Sequence, residues 1–388
     1  EFRDSPVVAS AASNLDHGHV NPIANGEFTI FTPLSSSPYN NHVFLANERI
    51  ITRTAEDFVH EDFNVSSWFA GSEKDFPRTK LKYIKELGKG WFGKVVEGAA
   101  KEVPPNVEAW TPVVVRILDA TASRKERVLF LSDAAIYRCG THDNILTLIG
   151  RCLDTVPLLL LQEFCPRGDL KNYLRSKKEN VDQLLSTDYP LLWCCQLTSA
   201  LKHLHSNRVT HPDLATRNCQ LASDLTLKVG DYGLAQSRYP EDYYQGSPRV
   251  PVRWCSPESL ICTLTTIQPK KHTMESNVWS LGVTIWEICE CGAQPYSALT
   301  DDEVVSQVLG PPNTRLPRPK VSVLYTDYLY RLMLLCWTNA ESRPQVSQLD
   351  LMLSDLWQVY KNTKTSNLDD FDKRWDSFKP NSVLQSDN

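Results

Sequence analysis

The sequence has no long apolar run. Its apolar runs fall far short of the ~18 residues that a membrane-spanning helix requires, and one of them, Val156 to Leu161, reads as a buried strand. It also lacks the paired Cys-x-x-Cys spacing of zinc sites. The eleven cysteines are scattered, with neighbours at Cys194 and Cys195 and a Cys289-x-Cys291, and they read as reduced core thiols rather than a disulfide framework. Nor is basic charge in excess. A net charge of -5 cannot neutralise a run of phosphates, which excludes a broad nucleic-acid surface and leaves proteins or small phosphorylated ligands as partners. No secretory signal opens the chain, which begins at Glu1, and the sequence is expected to be a piece of a longer protein or a processed form.

What is present falls into three parts. Residues 1–78 are rich in Ser, Asn, Pro and acidic side chains with no sustained period, which predicts a flexible flank. After Leu81, short β-type runs (Tyr83 to Leu87, Lys94 to Glu97, Val113 to Leu118) alternate with Gly or Pro turns and predict a small sheet. Arg124 to Tyr137 reads as a helix, and Leu146 to Gly150 and Leu158 to Glu163 as strands. From Asp169 onward helical spacing dominates, as in Leu191 to His205, Ser276 to Cys289 and Tyr325 to Trp337. Strands first and helices second predict an α+β, two-lobed domain over 79–357, divided near 165/166, with a polar tail over 358–388.

The chemistry sits in ordered motifs. Gly88-Lys-Gly90-Trp-Phe-Gly93-Lys-Val95 lies between two strands, and its glycines would let backbone N–H groups approach phosphate oxygens with no Cβ in the way. Downstream come His211-Pro-Asp213-Leu-Ala-Thr-Arg217-Asn218 and then Asp231-Tyr-Gly233. Phosphoryl transfer needs a carboxylate to take a hydroxyl proton, for which Asp213 fits. It also needs hard oxygen ligands to hold magnesium against the phosphates, for which Asn218 and Asp231 fit. Ser256-Pro-Glu258 and Glu-Ser-Arg343-Pro344 supply an expected buried pair, Glu258 with Arg343.

In this order and spacing the motifs resemble those of the eukaryotic protein kinases from the glycine loop to Arg343. Ala215 followed by Arg217, and Pro251-Val-Arg-Trp254, are similar to the tyrosine-kinase arrangement. Tyr239, Tyr243 and Tyr244 are spaced as in the activation loops of receptor tyrosine kinases, which implies a regulatory role. Longer stretches, including Leu87 to Val95, Gly230 to Leu234, Asn277 to Trp286 and the tail Asp370-Phe-Asp-Lys-Arg-Trp375, resemble the lemur tyrosine kinase family. The resemblance implies a small β-rich N-lobe with one main helix, a larger helical C-lobe, and ATP with Mg2+ between them. It implies that Leu87, Gly88, Gly90 and Gly93 cover the nucleotide, that Val95 and Val114 roof the adenine, and that Leu221 floors it. Glu163 and Cys165 would offer hinge carbonyl and amide groups next to Gln162, and Arg217 would steady the transferring phosphate. Protein substrates and signalling partners follow from the same likeness, as does a cytosolic kinase domain in a membrane-anchored protein acting on Ser/Thr or Tyr.

Some positions depart from the pattern. Arg116 stands where the resemblance places a phosphate-gripping Lys, and Asp133 where it places the partner Glu. A planar guanidinium is not a compact ammonium, so a binding module with weak or no phosphotransfer is the alternative reading. A longer cation facing a shorter acid keeps the combined reach, and the two changes are expected to compensate. Pro212 removes the Arg that often receives a loop phosphate, which predicts weak dependence on loop phosphorylation, with Arg238 or Arg249 as substitute cations. Asn277 takes the place of an anchoring Asp but keeps an acceptor oxygen. Tyr232 for Phe reads as a mild change, and Lys94 as a solvent-facing residue. Ser259 to Met274, with Lys270-Lys271-His272, reads as a solvated insertion.

Overall fold

A computed structural model describes residues 75–105, 107–180, 183–184, 187–245, 249–263, 266–310, 314–320 and 325–362. Of the flank predicted over 1–78, residues 1–74 lie outside the described residues, as does the Asp370 to Trp375 motif, while Asp75 and Phe76 are bonded to Arg151. The first strands are β1 (Leu81–Gly90), β2 (Gly93–Ala100) and β3 (Thr111–Leu118), followed by α1 (Arg124–Ser132), β4 (Leu148–Cys152) and β5 (Leu159–Glu163). The strands form one antiparallel sheet in the order β1-β2-β3-β5-β4. Gly90 pairs with Gly93, so Trp91 and Phe92 form the tip of the first hairpin.

Period-two alternation assigns the faces of this sheet. Val113 and Val115 of β3 join Leu159 and Leu161 of β5 in a small outer core with Val103 and Cys152. The intervening Val114 and Leu160 face the main core, and the register Val114 with Gln162, Arg116 with Leu160 puts Arg116 and Gln162 on that same inner face. The strand pattern that buries the valines therefore also aims the cation inward.

Helix α1 begins in a capping box, with Ser123 and Glu126 each satisfying the other's backbone N–H. The predicted helix to Tyr137 stops at Ser132, with Asp133 as its last cap and a 3-10 turn over Ala135–Arg138. That tighter turn carries Tyr137 inward, where its hydroxyl bridges the Asp231 backbone, donating to the carbonyl at 3.1 Å and accepting from the N–H at 3.2 Å.

The remainder is mainly helical: α2 (Leu170–Ser176), α3 (Tyr189–Ser206), the short pairs β6 (Cys219–Leu221) with β7 (Leu227–Val229), α4 (Ala235–Arg238), the hairpin β8 (Leu260–Cys262) with β9 (Ile267–Pro269), α5 (Met274–Cys289), α6 (Asp301–Gln307), α7 (Thr326–Cys336) and α8 (Val346–Asn362). This is the expected two-lobed α+β arrangement. In α8, Val346, Leu349, Met352, Leu353, Leu356 and Val359 make one apolar stripe, and the helix continues to Asn362, beyond the expected boundary at 357. The eleven cysteines are free thiols, most of them buried. Ser259 to Met274 contains the β8–β9 hairpin, and Lys270 and Lys271 on it are exposed.

Helix α5 is the axis of the second lobe, buried from Ser276 to Cys289. A helix apolar on every side belongs in a core, yet α5 carries a polar stripe at Asn277, Ser280, Thr284 and Glu287. Each member has a partner on the segment that bears the predicted catalytic residues or on its neighbour. Asn277 accepts from His211 N–H at 2.7 Å and donates to the His211 carbonyl at 2.8 Å. Ser280 donates to the Trp254 carbonyl and Thr284 to that of Leu214. Glu287 accepts from Thr216 N–H, the Thr216 hydroxyl and the Trp254 indole. Buried polar groups are tolerated when paired, and here the pairing fixes a loop to the most rigid element available.

Candidate active site

The loop after α3 brings three predicted residues together. Asn218 donates from its amide to the Asp213 carbonyl and to Asp213 Oδ2, both at 2.7 Å. Arg217 donates to Asp213 Oδ1. Its Nε donates to the Tyr243 hydroxyl at 2.9 Å and another nitrogen to Asp242 at 3.2 Å, while the guanidinium lies over the Trp254 ring. Burial alone would raise the Asp213 carboxyl, but the Arg217 charge and the donated hydrogen bonds outweigh it and hold the group below its ordinary value. The carboxylate is thereby kept in the ionised state that can accept a proton, while the hydrogen bonds donated to it lower its basicity.

The same carboxylate already has a hydroxyl on it. Tyr243 is buried (1% exposed), and its OH donates to Asp213 Oδ2 at 2.6 Å. Tyr239 is also buried and donates to Asp169 at 2.6 Å, and Tyr244 is half-buried. These are therefore not free loop tyrosines. Asp242, between them, is fully enclosed with Lys171 and Glu287, so the segment after α4 is clamped into the second lobe by charge as well as by rings. Burial lowers the Lys171 pKa despite its two acidic neighbours, and burial raises that of Glu287.

Arg116 is buried (1% exposed), and its terminal nitrogen approaches Asp133 Oδ2 at 3.5 Å, so the exchanged pair does meet. Asp133 Oδ2 also accepts from the Trp91 indole at 3.2 Å. The guanidinium lies over the Phe92 ring, 4.5 Å from its centroid, with Phe130 beyond at 5.5 Å. Phe92, from the tip of the glycine hairpin, is 2% exposed and fills space beneath its own loop. A Cβ on Gly90 would sit 2.6 Å from the Gly233 carbonyl, so the flap rests directly on the Asp231-Tyr-Gly233 segment. Gly88 in turn lies against Leu234. Lys94 is engaged by exposed Glu86 at 3.4 Å and does not replace the missing lysine.

Val95, Val114 and Leu221 are buried in the main core. The hinge groups are in use: the Tyr232 hydroxyl donates to the Glu163 carbonyl at 2.8 Å and accepts from Cys165 N–H at 3.1 Å. The reading of Tyr232 as a mild replacement of Phe is thus corrected, because the added hydroxyl makes two hydrogen bonds. A buried phenol requires a partner, and that requirement was the signal available in the sequence. Gln162 donates to the Asp231 carbonyl at 3.2 Å. Lys171, Asp242, Glu287, Tyr137 and Phe92 were not anticipated, and of these only the polar stripe on α5 left a trace in the sequence.

Two oxygen donors fit a hard cation. Asn218 Oδ1 is buried without a hydrogen-bond partner because the amide nitrogen faces Asp213. No hydrogen bond or ion pair joins the Asp231 carboxylate to another described residue. Among the described residues there is no group of three His, Cys, Asp or Glu that could hold a metal ion. Arg343 and Glu258 form the predicted pair, with one contact at 3.0 Å.

Comparison with known proteins agrees with this geometry. Residues 81–353 match the family described as protein tyrosine and serine/threonine kinase. The chain is 40% identical over 310 residues to serine/threonine-protein kinase LMTK1 of Homo sapiens, covering 79% of this chain and 22% of the relative. It is 43% identical over 287 residues to serine/threonine-protein kinase LMTK3 of Mus musculus, covering 72% and 20%. It is 33% identical over 303 residues to the insulin-like growth factor 1 receptor of Xenopus laevis, covering 76% and 21%. The chain thus spans about a fifth of the length of the curated relatives it matches. The likeness to the lemur tyrosine kinases noted from the motifs agrees with these relatives.

Proposed function

We propose, proceeding from the fact that this chain belongs to the protein tyrosine and serine/threonine kinase family, that it transfers the γ-phosphoryl group of ATP to a protein hydroxyl. In this reading the substrate hydroxyl gives its proton to Asp213 as its oxygen bonds to phosphorus, and ADP leaves with the bonding pair. Arg217 orients the Asp213 carboxylate and neutralises charge beside it. Asn218 and Asp231 would hold magnesium, whose contribution is to offset charge on the phosphate oxygens. Leu87, Gly88, Gly90 and Gly93 cover the phosphates, Val95, Val114 and Leu221 enclose the base, and Glu163 and Cys165 with neighbouring Gln162 orient it. Arg116, supported by Asp133, supplies the cation on the inner face of β3.

The observation that carries this reading is the Tyr243 hydroxyl on Asp213 Oδ2 at 2.6 Å. It supports a slot that delivers a protein hydroxyl to the base, deep enough for a phenol. That depth favours tyrosine as acceptor, whereas the two lemur-type relatives are named serine/threonine kinases. The alternative of an inert binding module gains no support from the family match, and the Arg116–Asp133 contact keeps the reach that the exchange put in question.

Tyr239, Tyr243 and Tyr244 are read as regulatory, because two of them anchor the segment that covers the base. The surrounding protein is read as membrane-anchored with this domain on the cytosolic side, working on protein substrates and signalling partners. Among the described residues, no helix is long and apolar enough to cross a membrane. The test is phosphate transfer from ATP with magnesium into a mixed peptide library. Phosphotyrosine is the expected product. Phosphoserine or phosphothreonine alone would reverse the acceptor assignment, and no incorporation would reject transfer itself.

A further inference from the structure

The Tyr232 phenol sits on two backbone groups at the end of β5, giving a proton to the Glu163 carbonyl and taking one from Cys165 N–H. A carbonyl and an N–H two residues apart on one strand end present an acceptor next to a donor. Adenine answers such a pair with its exocyclic amine and adjacent ring nitrogen, and one phenol oxygen answers it alone, because a hydroxyl both donates and accepts. Tyr232 is 6% exposed and belongs to the same buried core as Val95, Val114 and Leu221, the side chains assigned to the base. Resting on the kinase reading above, we infer that Tyr232 is a built-in occupant of the adenine slot, competing with the nucleotide base for the same two hinge groups.

The rest of the segment is arranged accordingly. Asp231 is held by its backbone, through the Tyr137 hydroxyl and the Gln162 amide, and among the described residues none bonds its carboxylate. On the other side of Tyr232, Gly233 has φ +80° and its α-carbon faces Phe92 so closely that a Cβ there would overlap the ring. Base slot and flap are thus filled by side chains two steps apart in one packed unit: Tyr232, Gly233, then Phe92 over Arg116. Nucleotide entry requires this unit to leave. The apparent affinity is therefore the intrinsic affinity multiplied by the fraction of molecules in which Tyr232 has left the hinge.

A phenylalanine keeps the ring but loses both hydrogen bonds and leaves the hinge groups facing an apolar edge. The occupied form should lose about a factor of ten in relative population. The experiment measures dissociation constants of magnesium-ADP and of adenosine for the whole chain and for Tyr232→Phe by calorimetry. Adenosine lacks phosphates, so it isolates the base slot. About tenfold tighter binding of both ligands by the variant supports competition at the hinge. Tyr232→Leu removes the ring as well and should tighten binding at least as far, which keeps the test open if the phenylalanine ring holds the slot by packing. Equal or weaker binding by both variants, with the parent chain binding, overturns the competition while leaving the kinase reading intact. Failure of the parent chain and both variants to bind either ligand overturns the nucleotide reading and this inference with it.

Discussion

The contact most exposed to test is the Tyr243 hydroxyl on the catalytic-loop carboxylate. Tyr243→Phe removes one hydroxyl that donates to Asp213 at 2.6 Å and accepts from Arg217 Nε at 2.9 Å. Hydrogen bonds to charged groups contribute about 1.5–3 kcal/mol each, but when the hydroxyl is gone Asp213 stays bonded to Arg217 and Asn218, and Arg217 to Asp213 and Asp242. No buried charge is stranded, so the loss should lie near the low end, about 1.5–2 kcal/mol in all. The ring stays, and with it the stacking of Arg217 over it at 4.7 Å. The segment should then open about ten- to thirtyfold more often, since each 1.4 kcal/mol is a factor of ten. Initial rates on an added peptide, with unphosphorylated protein at saturating ATP, should rise by about that factor. An unchanged or lower rate would refute the idea that this hydroxyl guards the base. The structure also changes an expectation drawn from Pro212. A phosphate on Tyr243 could not remain beside Asp213, because a dianion would face a buried carboxylate. Strong rather than weak dependence on loop phosphorylation now follows.

Three further outcomes follow. In a double-mutant cycle, Arg116→Lys and Asp133→Glu should couple by about 0.5–1 kcal/mol in magnesium-ATP affinity, because their side chains meet, and strictly additive effects would contradict compensation. Asn277→Ala strands a buried N–H and carbonyl of His211 and should lower unfolding free energy by about 2–4 kcal/mol in urea titration, whereas a loss under about 0.5 would show that the loop is held elsewhere. His205, His211 and His272 all have pKa values lowered mainly by burial, His272 to about 4. The unfolded chain therefore binds protons that the folded one refuses. The stability from these neutral histidines is fully present above their ordinary value near 6.5 and is lost as pH falls toward 4. The urea midpoint should drop between pH 7.5 and 5.5, less so in His272→Gln, and a flat or rising midpoint would contradict the assignment.

Much of the lobed architecture was legible because it rests on short-range rules. The β-type run Val113 to Leu118 predicted a strand, while the faces of its side chains followed only from the register with β5. Asp213, Asn218 and Asp231 were legible because few residue types can accept a proton or ligate a hard cation, and because 213 and 218 share one loop. What the sequence concealed was occupancy. Nothing local in Gly-Trp-Phe-Gly says that Phe92 will fold beneath its own hairpin, since that depends on Arg116 and Phe130 arriving from β3 and α1. Tyr243 read as a loop residue because loops are normally exposed, and its burial needs Arg217, Asp242 and Trp254, which come from separate segments. The helix from Arg124 was overextended for a related reason: its apolar spacing continues to Tyr137, while the chain tightens early to bring that phenol to Asp231. Tyr232 differs, since one hydroxyl in a buried position was visible and only its partners were not.

The central claim is that Asp213 takes the proton of an acceptor hydroxyl. Phosphate incorporation into peptide by the parent chain and by Asp213→Asn, at equal concentration with magnesium and ATP, tests it most directly. The account predicts transfer by the parent and a loss of about a hundredfold or more in the variant, the usual scale of a general base. Equal incorporation by the two proteins would contradict it.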